Sequence, residues 1–276
     1  MLSIMYATCS TYKSLWAPFF TLKDKYIDKN IPTYFCTDIL NEKDLDGVNR
    51  DGLHLLTYGK PSNMSFDGNF YDRSLDHLSK INTKYILYFV DDMFPLAPVS
   101  TETLRDLMDS MDENESIKII KLSTHSWPFS GSNVQYKGRS FVQAKNDSDH
   151  YIMNVQPILI RKDFFIDMLK YCKVHNTSMH QNGGLEIYGT EFIRNTQFIC
   201  LRVCQDIVKI NSAGGVVQSG FISDKTKDLL LKEGIVVKTY GNNLIFILTP
   251  EEYALAGSAL RDEFARRGVK PQNTAE

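Results

Sequence analysis

An α/β fold, with a twisted, mostly parallel sheet and helices on both faces, is what this sequence predicts, on two observations. Strand-like and helix-like segments alternate over the first two thirds of the chain, the pattern of parallel strands joined by crossover helices. One of those strands, Tyr85–Val90 (YILYFV), is apolar at every position, so both of its faces are covered and it is central and parallel. At 276 residues the chain has room for one large domain of this kind with a small appendage.

The first strand is Leu2–Ala7 (LSIMYA). After it, Trp16, Phe19, Phe20, Lys23 and Tyr26 fall at helical spacing with Pro18 early, so a helix follows. Pro32–Thr37 (PTYFCT) and Leu53–Thr57 (LHLLT) are short strands. Tyr71, Leu75 and Leu78 at i, i+4 and i+7 make an amphipathic helix that leads into YILYFV. Leu104, Leu107, Met108 and Met111 mark the next helix, and Ile117–Leu122 (IKIIKL) the next strand. Val155–Ile160 (VQPILI) is a further strand, followed by a helix carrying Phe164, Phe165, Met168 and Leu169.

Two regions interrupt the alternation. Ser123–Asp149 is long, polar and rich in Gly and Ser, a loop or hairpin excursion of a length usually tied to function or disorder. From about Gly234 the chain reads as a hairpin (GIVVKTYGNNLIFIL) and then a helix opened by the capping box Thr249–Glu252, with Pro at its first position. The expected division is a main domain over 1–233 and a packed hairpin–helix appendage over 234–276.

With 43% hydrophobic and 23% charged residues the chain is an ordinary globular one. Its net charge of −2, without blocks of one sign, supplies no field for gathering nucleic acid. Apolar runs fall well short of the ~20 residues that span a bilayer, and MLSIMYATCSTYKSLW has neither a basic start nor a cleavage pattern. The expectation is a cytoplasmic protein with no membrane span and no nucleic-acid partner. Five scattered cysteines, Cys9, Cys36, Cys172, Cys200 and Cys204, argue against a disulfide framework. Cys200 and Cys204 would share a helix face, but no second pair or nearby histidine completes a zinc site.

The chemistry begins where YILYFV ends, at Asp91 and Asp92. Ligands of open α/β sheets bind at the carboxyl ends of strands. Adjacent carboxylates repel, and a divalent cation held against a diphosphate relieves that repulsion, since hard cations take oxygen ligands from carboxylates and phosphates. The plainer alternative is a pair of aspartates capping the turn that follows the strand. P-loop, nucleophile-elbow, dinucleotide-fingerprint and HExxH patterns do not occur.

Four segments in series, ATCSTYKSLWAPFFTL, FYDRSLDHLSKINTKYILYFVDDMF, NVQPILIRKDFF and GLEIYGTEF, resemble those of GT-A-type glycosyltransferases found in bacterial surface-polysaccharide clusters and large viruses. The resemblance covers about Leu2 to Gly234. It implies a GT-A-like (Rossmann-like) fold and transfer of a sugar from a nucleotide diphosphate sugar, a UDP-sugar foremost, to a hydroxyl of a glycan acceptor. By the same resemblance Asp92 holds Mn²⁺ or Mg²⁺, and Asp91 lies close to the ribose or sugar. Asp72 and Arg73 open the helix before the acidic strand, with Arg73 meeting a phosphate or the acid pair. Thr8, Cys9 and Tyr12 lie where the base is held, although the family pattern has an acid where this chain has Ser10. Gln156 faces the acceptor. Glu186 matches the late glutamate that takes the acceptor's proton in an inverting transfer. Its helix reads with Leu185, Tyr188 and Phe192 as the buried stripe, leaving Glu186 free to face a cleft, and Glu191 is its competitor. Two other readings stand beside this one: a nucleotidyltransferase that makes the nucleotide sugar, for which ATCSTYKS lacks the expected glycines, and a non-catalytic glycan-binding or assembly protein on the same fold.

Overall fold

The computed structural model describes residues 1–45, 48–61, 69–125, 128–175, 184–210, 217–218, 221–222, 230 and 232–233. The hairpin and helix expected over 234–276 lie outside the described residues, and so does the boundary before them.

Strands β1 (Leu2–Ala7), β2 (Thr33–Thr37), β3 (Leu53–Thr57), β4 (Tyr85–Val90), β5 (Ile117–Lys121), β6 (Asn133–Tyr136), β7 (Arg139–Gln143), β8 (Ile158–Arg161) and β9 (Ile199–Val203) form a nine-stranded sheet in the order β3-β2-β1-β4-β8-β5-β9-β7-β6. The helices are α1 (Trp16–Tyr26), α2 (Phe70–Ser79), α3 (Thr101–Glu113), α4 (Lys162–His175) and α5 (Gly184–Arg194). A two-residue pair, β10 (Val217–Gln218) with β11 (Phe221–Ile222), stands apart from the sheet. This is the expected α/β architecture: a mixed, mostly parallel sheet flanked by helices.

Every residue of β4 is buried, as its unbroken apolar run requires. The strand is central but only half parallel: it pairs parallel with β1 and antiparallel with β8. β8 is also shorter than the run VQPILI. Pro157 has no N–H to give a ladder, and the Val155 N–H is engaged elsewhere, so pairing starts at Ile158. The excursion after β5 contains a hairpin, β6–β7, added to the edge of the sheet. Its two-residue turn, Lys137 (φ 49°) and Gly138 (φ 73°), has the left-handed backbone that suits a tight hairpin. Cys200 and Cys204 lie in and just after β9, not on a helix; Cys200 is buried and Cys204 exposed.

One face carries α1 and α3. There Tyr6 of β1 stacks on Phe19 of α1, with ring centroids 3.7 Å apart, and Phe35 and Phe89 from β2 and β4 join them. Tyr85 of β4 donates its hydroxyl to Asp112 of α3 (2.6 Å). The other face carries α2 and α4, where Tyr88 meets Phe165 edge to face. α5 packs on α4 with a stripe turned from the expected one. Leu185, Gly189, Thr190 and Ile193 are buried, while Tyr188 and Phe192 are half-buried. Gly189 causes the turn, because a Cβ there would lie 2.9 Å from Met153 Cγ and 3.2 Å from Met168 Sδ. Near the end of the described chain, Glu233 accepts hydrogen bonds from Lys25 and Tyr26 of α1 (2.7 and 2.8 Å).

Candidate active site

The chain runs outward from β1 through β2 to β3 and then returns to place β4 on the other side of β1. Such a reversal opens a crevice at the carboxyl ends of the two central strands. Register fixes what stands there. Ala7 is level with Cys36 of β2 and Val90 of β4, so Thr8, Thr37 and Asp91 emerge side by side.

Asp91 is buried, and the Tyr6 hydroxyl donates to its carbonyl (3.1 Å). Asp92 is half-buried, and burial followed by the charge of Asp91 raises its carboxyl well above the usual range. The Cys9 thiol is pushed up to about 12, first by burial and then by Asp91 and Asp38, with Arg73 pulling the other way. Cys9 therefore sits among both acids and the buried Arg73. Tyr12 is raised by burial, then by Asp91, Cys9 and Asp92, which puts it in the same group. Thr8 is buried, its hydroxyl accepting the Trp16 indole N–H (3.0 Å). Thr8, Cys9, Tyr12, Arg73, Asp91 and Asp92 thus gather at one crevice.

Asp38, which the sequence reading passed over, completes the group. Its carboxylate accepts the Ser10 amide (2.7 Å), the Ser10 hydroxyl (2.9 Å) and the Thr37 hydroxyl (3.0 Å). An acid from the end of β2 thus stands against Ser10. The signal was available: PTYFCTD closes an apolar strand with an acid just as YILYFVDD does.

A second group lies across β8. Gln156 is buried just before β8, between the ends of β4 and β5. Glu186, in the first turn of α5, accepts the Val155 amide (3.2 Å). Burial raises its carboxyl, with that amide and the Lys121 charge opposing. Lys121, at the end of β5, is fully buried and pulled down to about 7 by burial; its ammonium donates to the Tyr151 carbonyl (2.8 Å) and lies 4.3 Å from the Phe129 ring. Segment 149–155 is laced along α5: Arg194 donates to the Asp149 carbonyl (2.8 Å), the Met153 amide to Thr190 (3.1 Å) and the Val155 amide to Glu186.

Two residues point elsewhere. Asp72 pairs with Lys173 of α4 (2.6 Å), tying helix to helix. Glu191 is exposed and accepts the Tyr171 hydroxyl (2.9 Å), whereas Glu186 is half-buried. Among the described residues no group of three or more His, Cys, Asp or Glu side chains is arranged to hold a metal ion, and no helix is long and apolar enough to cross a membrane.

No protein-family model matches the sequence, and no curated protein matches it. Solved structures similar to this chain include residues 1–349 of S. aureus TarS (12% identity, TM-score 0.43, covering 73% of this chain and 57% of that one). A second is the glycosyltransferase GlyE of Streptococcus pneumoniae TIGR4 (10% identity, TM-score 0.44, 72% and 44%). A third is an active-site mutant of LgtC (13% identity, TM-score 0.41, 68% and 69%). TarS, GlyE and LgtC are glycosyltransferases, the class that the sequence resembles. The same piece of TarS has also been solved in complex with UDP. This chain spans 57% of that piece of TarS and 44% of GlyE.

Proposed function

We propose that the chain is a metal-assisted glycosyltransferase that moves a sugar from a nucleoside diphosphate to a hydroxyl of a glycan acceptor. The observation that supports this most directly is the crevice between β1 and β4, where the acid pair Asp91–Asp92 closes β4 near the buried Arg73 and Asp38. A cluster of acids at the carboxyl edge suits a polyanionic ligand only if a cation comes with it. Mg²⁺ and Mn²⁺ fit this donor set, because they accept one or two carboxylates and fill their remaining positions with phosphate oxygens and water. Asp92, with Asp91 beside it, would hold the ion, which offsets charge on the departing diphosphate.

Arg73 would add a second positive charge from below. Tyr12 and the Ser10–Asp38 pair would meet the nucleoside. Gln156 would orient the acceptor. Glu186, kept basic yet partly desolvated, would take the acceptor proton as its oxygen attacks the anomeric carbon. The bond to the diphosphate breaks with its electron pair leaving on the phosphate oxygen, so the anomer inverts.

The test is thermal melting with UDP, Mn²⁺ and both together. UDP at about 100 times its dissociation constant should add roughly 2.7 kcal/mol, seen only with the metal present, and Asp92→Asn should abolish the shift. No shift with UDP plus Mn²⁺ removes the donor site.

A further inference from the structure

Beyond the acid pair, residues 93–99 lead from β4 to α3, and the Leu96 amide donates to the Lys209 carbonyl (2.9 Å). They end at a separate opening, a cleft of about 600 Å³ between the start of α3, the β6–β7 turn and the residues that follow β9. That volume is in the usual range for ligand clefts. None of the residues assigned to the nucleotide or to proton removal lines it.

The polar groups of the cleft are set in opposed pairs. Arg139 is anchored to Thr103 (2.8 Å) and lies 3.6 Å from Asp106, and its buried Nε–H has no acceptor among the described residues. Across the cleft, Asp206 uses Oδ1 for the Thr124 amide (2.6 Å) and hydroxyl (2.7 Å). Its Oδ2 has His125 Nδ1 at 3.8 Å, beyond hydrogen-bond length. Gln205, exposed and able to donate and accept, also lines the cleft, as does the buried Phe141. An anion would gain little here, since Asp106 already faces Arg139 and Asp206 would repel it. Hydroxyls, each a donor and an acceptor, match the set.

We propose that this cleft seats a neutral, hydroxyl-rich sugar unit of the acceptor, with one hydroxyl accepting from the exposed part of the Arg139 guanidinium and another donating to Asp206 Oδ2. The assignment to the acceptor rests on the transferase reading above. Position supports it: the cleft opens on the same carboxyl edge, one connecting segment from Asp92, and Asp206 also holds the turn that follows Lys121.

Cys204 lines the cleft and is exposed, while Cys9, Cys36, Cys172 and Cys200 are buried, so the chain carries its own reporter. The full chain with UDP and Mn²⁺ is alkylated with iodoacetamide, and Cys204 modification is followed by mass spectrometry with glucose, galactose or N-acetylglucosamine present at tens of millimolar. At least one sugar should slow the modification about tenfold, the free fraction left when ligand stands at about ten times its dissociation constant. Arg139→Gln should abolish the protection, and Gln205→Ala, an exposed change with no packing cost, should weaken it. If no sugar slows alkylation, or if both variants are protected like the wild type, the proposal is overturned. Protection without a UDP–Mn²⁺ melting shift keeps the sugar cleft and removes the donor reading. The shift without protection does the reverse.

Discussion

The carboxyl edge of the sheet holds its two groups of candidate side chains by different means. On the β1–β4 side, position comes from strand register: Ala7, Cys36 and Val90 stand level, and stacked rings fill the space beneath them. Many residues share that task, so no single one sets it. Across β8, position comes from a strap. Glu186 is held where segment 149–155 is laced to α5, with Lys121 gripping the Tyr151 carbonyl from below. Tyr151 itself has left-handed backbone (φ 50°), strain that a non-glycine residue keeps only where its surroundings fix it. On the proposed function, charge would be handled by a redundant frame and the proton by a few specific bonds. The two tasks should therefore fail separately.

The largest expected effect is chemical. Glu186→Gln should lower transfer by about 10²–10⁴-fold, with an inverted product by NMR and an unchanged UDP–Mn²⁺ melting shift. Losing the shift as well would show that the two groups are one.

Next comes a test of the frame from beneath. His77 of α2 is buried with no partner for Nε2, and burial pulls it down to about 4. The unfolded chain then binds a proton that the folded chain refuses between its ordinary value of 6.5 and about 4. Stability is therefore lost as pH falls through that window, by at most about 3.5 kcal/mol at about 1.4 kcal/mol per unit. Urea melts of His77→Phe should show a flatter pH dependence than the wild type; an equal slope would exclude His77 as its source.

A smaller effect sharpens the account of the strap. Gly189→Ala would press a methyl group onto Met153, costing about 1–3 kcal/mol, and should lower kcat while leaving UDP binding intact. The smallest is Asp72→Asn. Its partly exposed ion pair with Lys173 contributes no more than about 1 kcal/mol, and UDP binding should not change; a weaker UDP–Mn²⁺ shift would return Asp72 to the donor site.

The same contrast explains what could be read from the sequence. The β1–β4 side depends on local pattern: apolar runs give strands, the runs end in acids, and a central run reads as a strand buried on both faces. The fold class and the Asp91–Asp92 position were legible for that reason. Asp38 was missed because only register brings it to Ser10, 28 residues away in sequence. On the far side, the stripe of α5 was misjudged because a glycine carries no apolar signal, although Gly189 marks the closest approach. The antiparallel direction of β8 was hidden too, since an apolar strand reads the same in either direction. The presence of Arg139 and Asp206 in one cleft depends on a hairpin whose partner strand, β9, follows 60 residues later.

That hairpin sits at the rim of the sheet. β6 and β7 are the last two strands and pair with nothing beyond β9 among the described residues. Changes in their length or turn would reshape one wall of the cleft without shifting a hydrogen bond between β1 and β4. If the proposed acceptor cleft holds, exchanging the β6–β7 turn would be a route to a new recipient for the sugar, with the proposed donor end left as it stands.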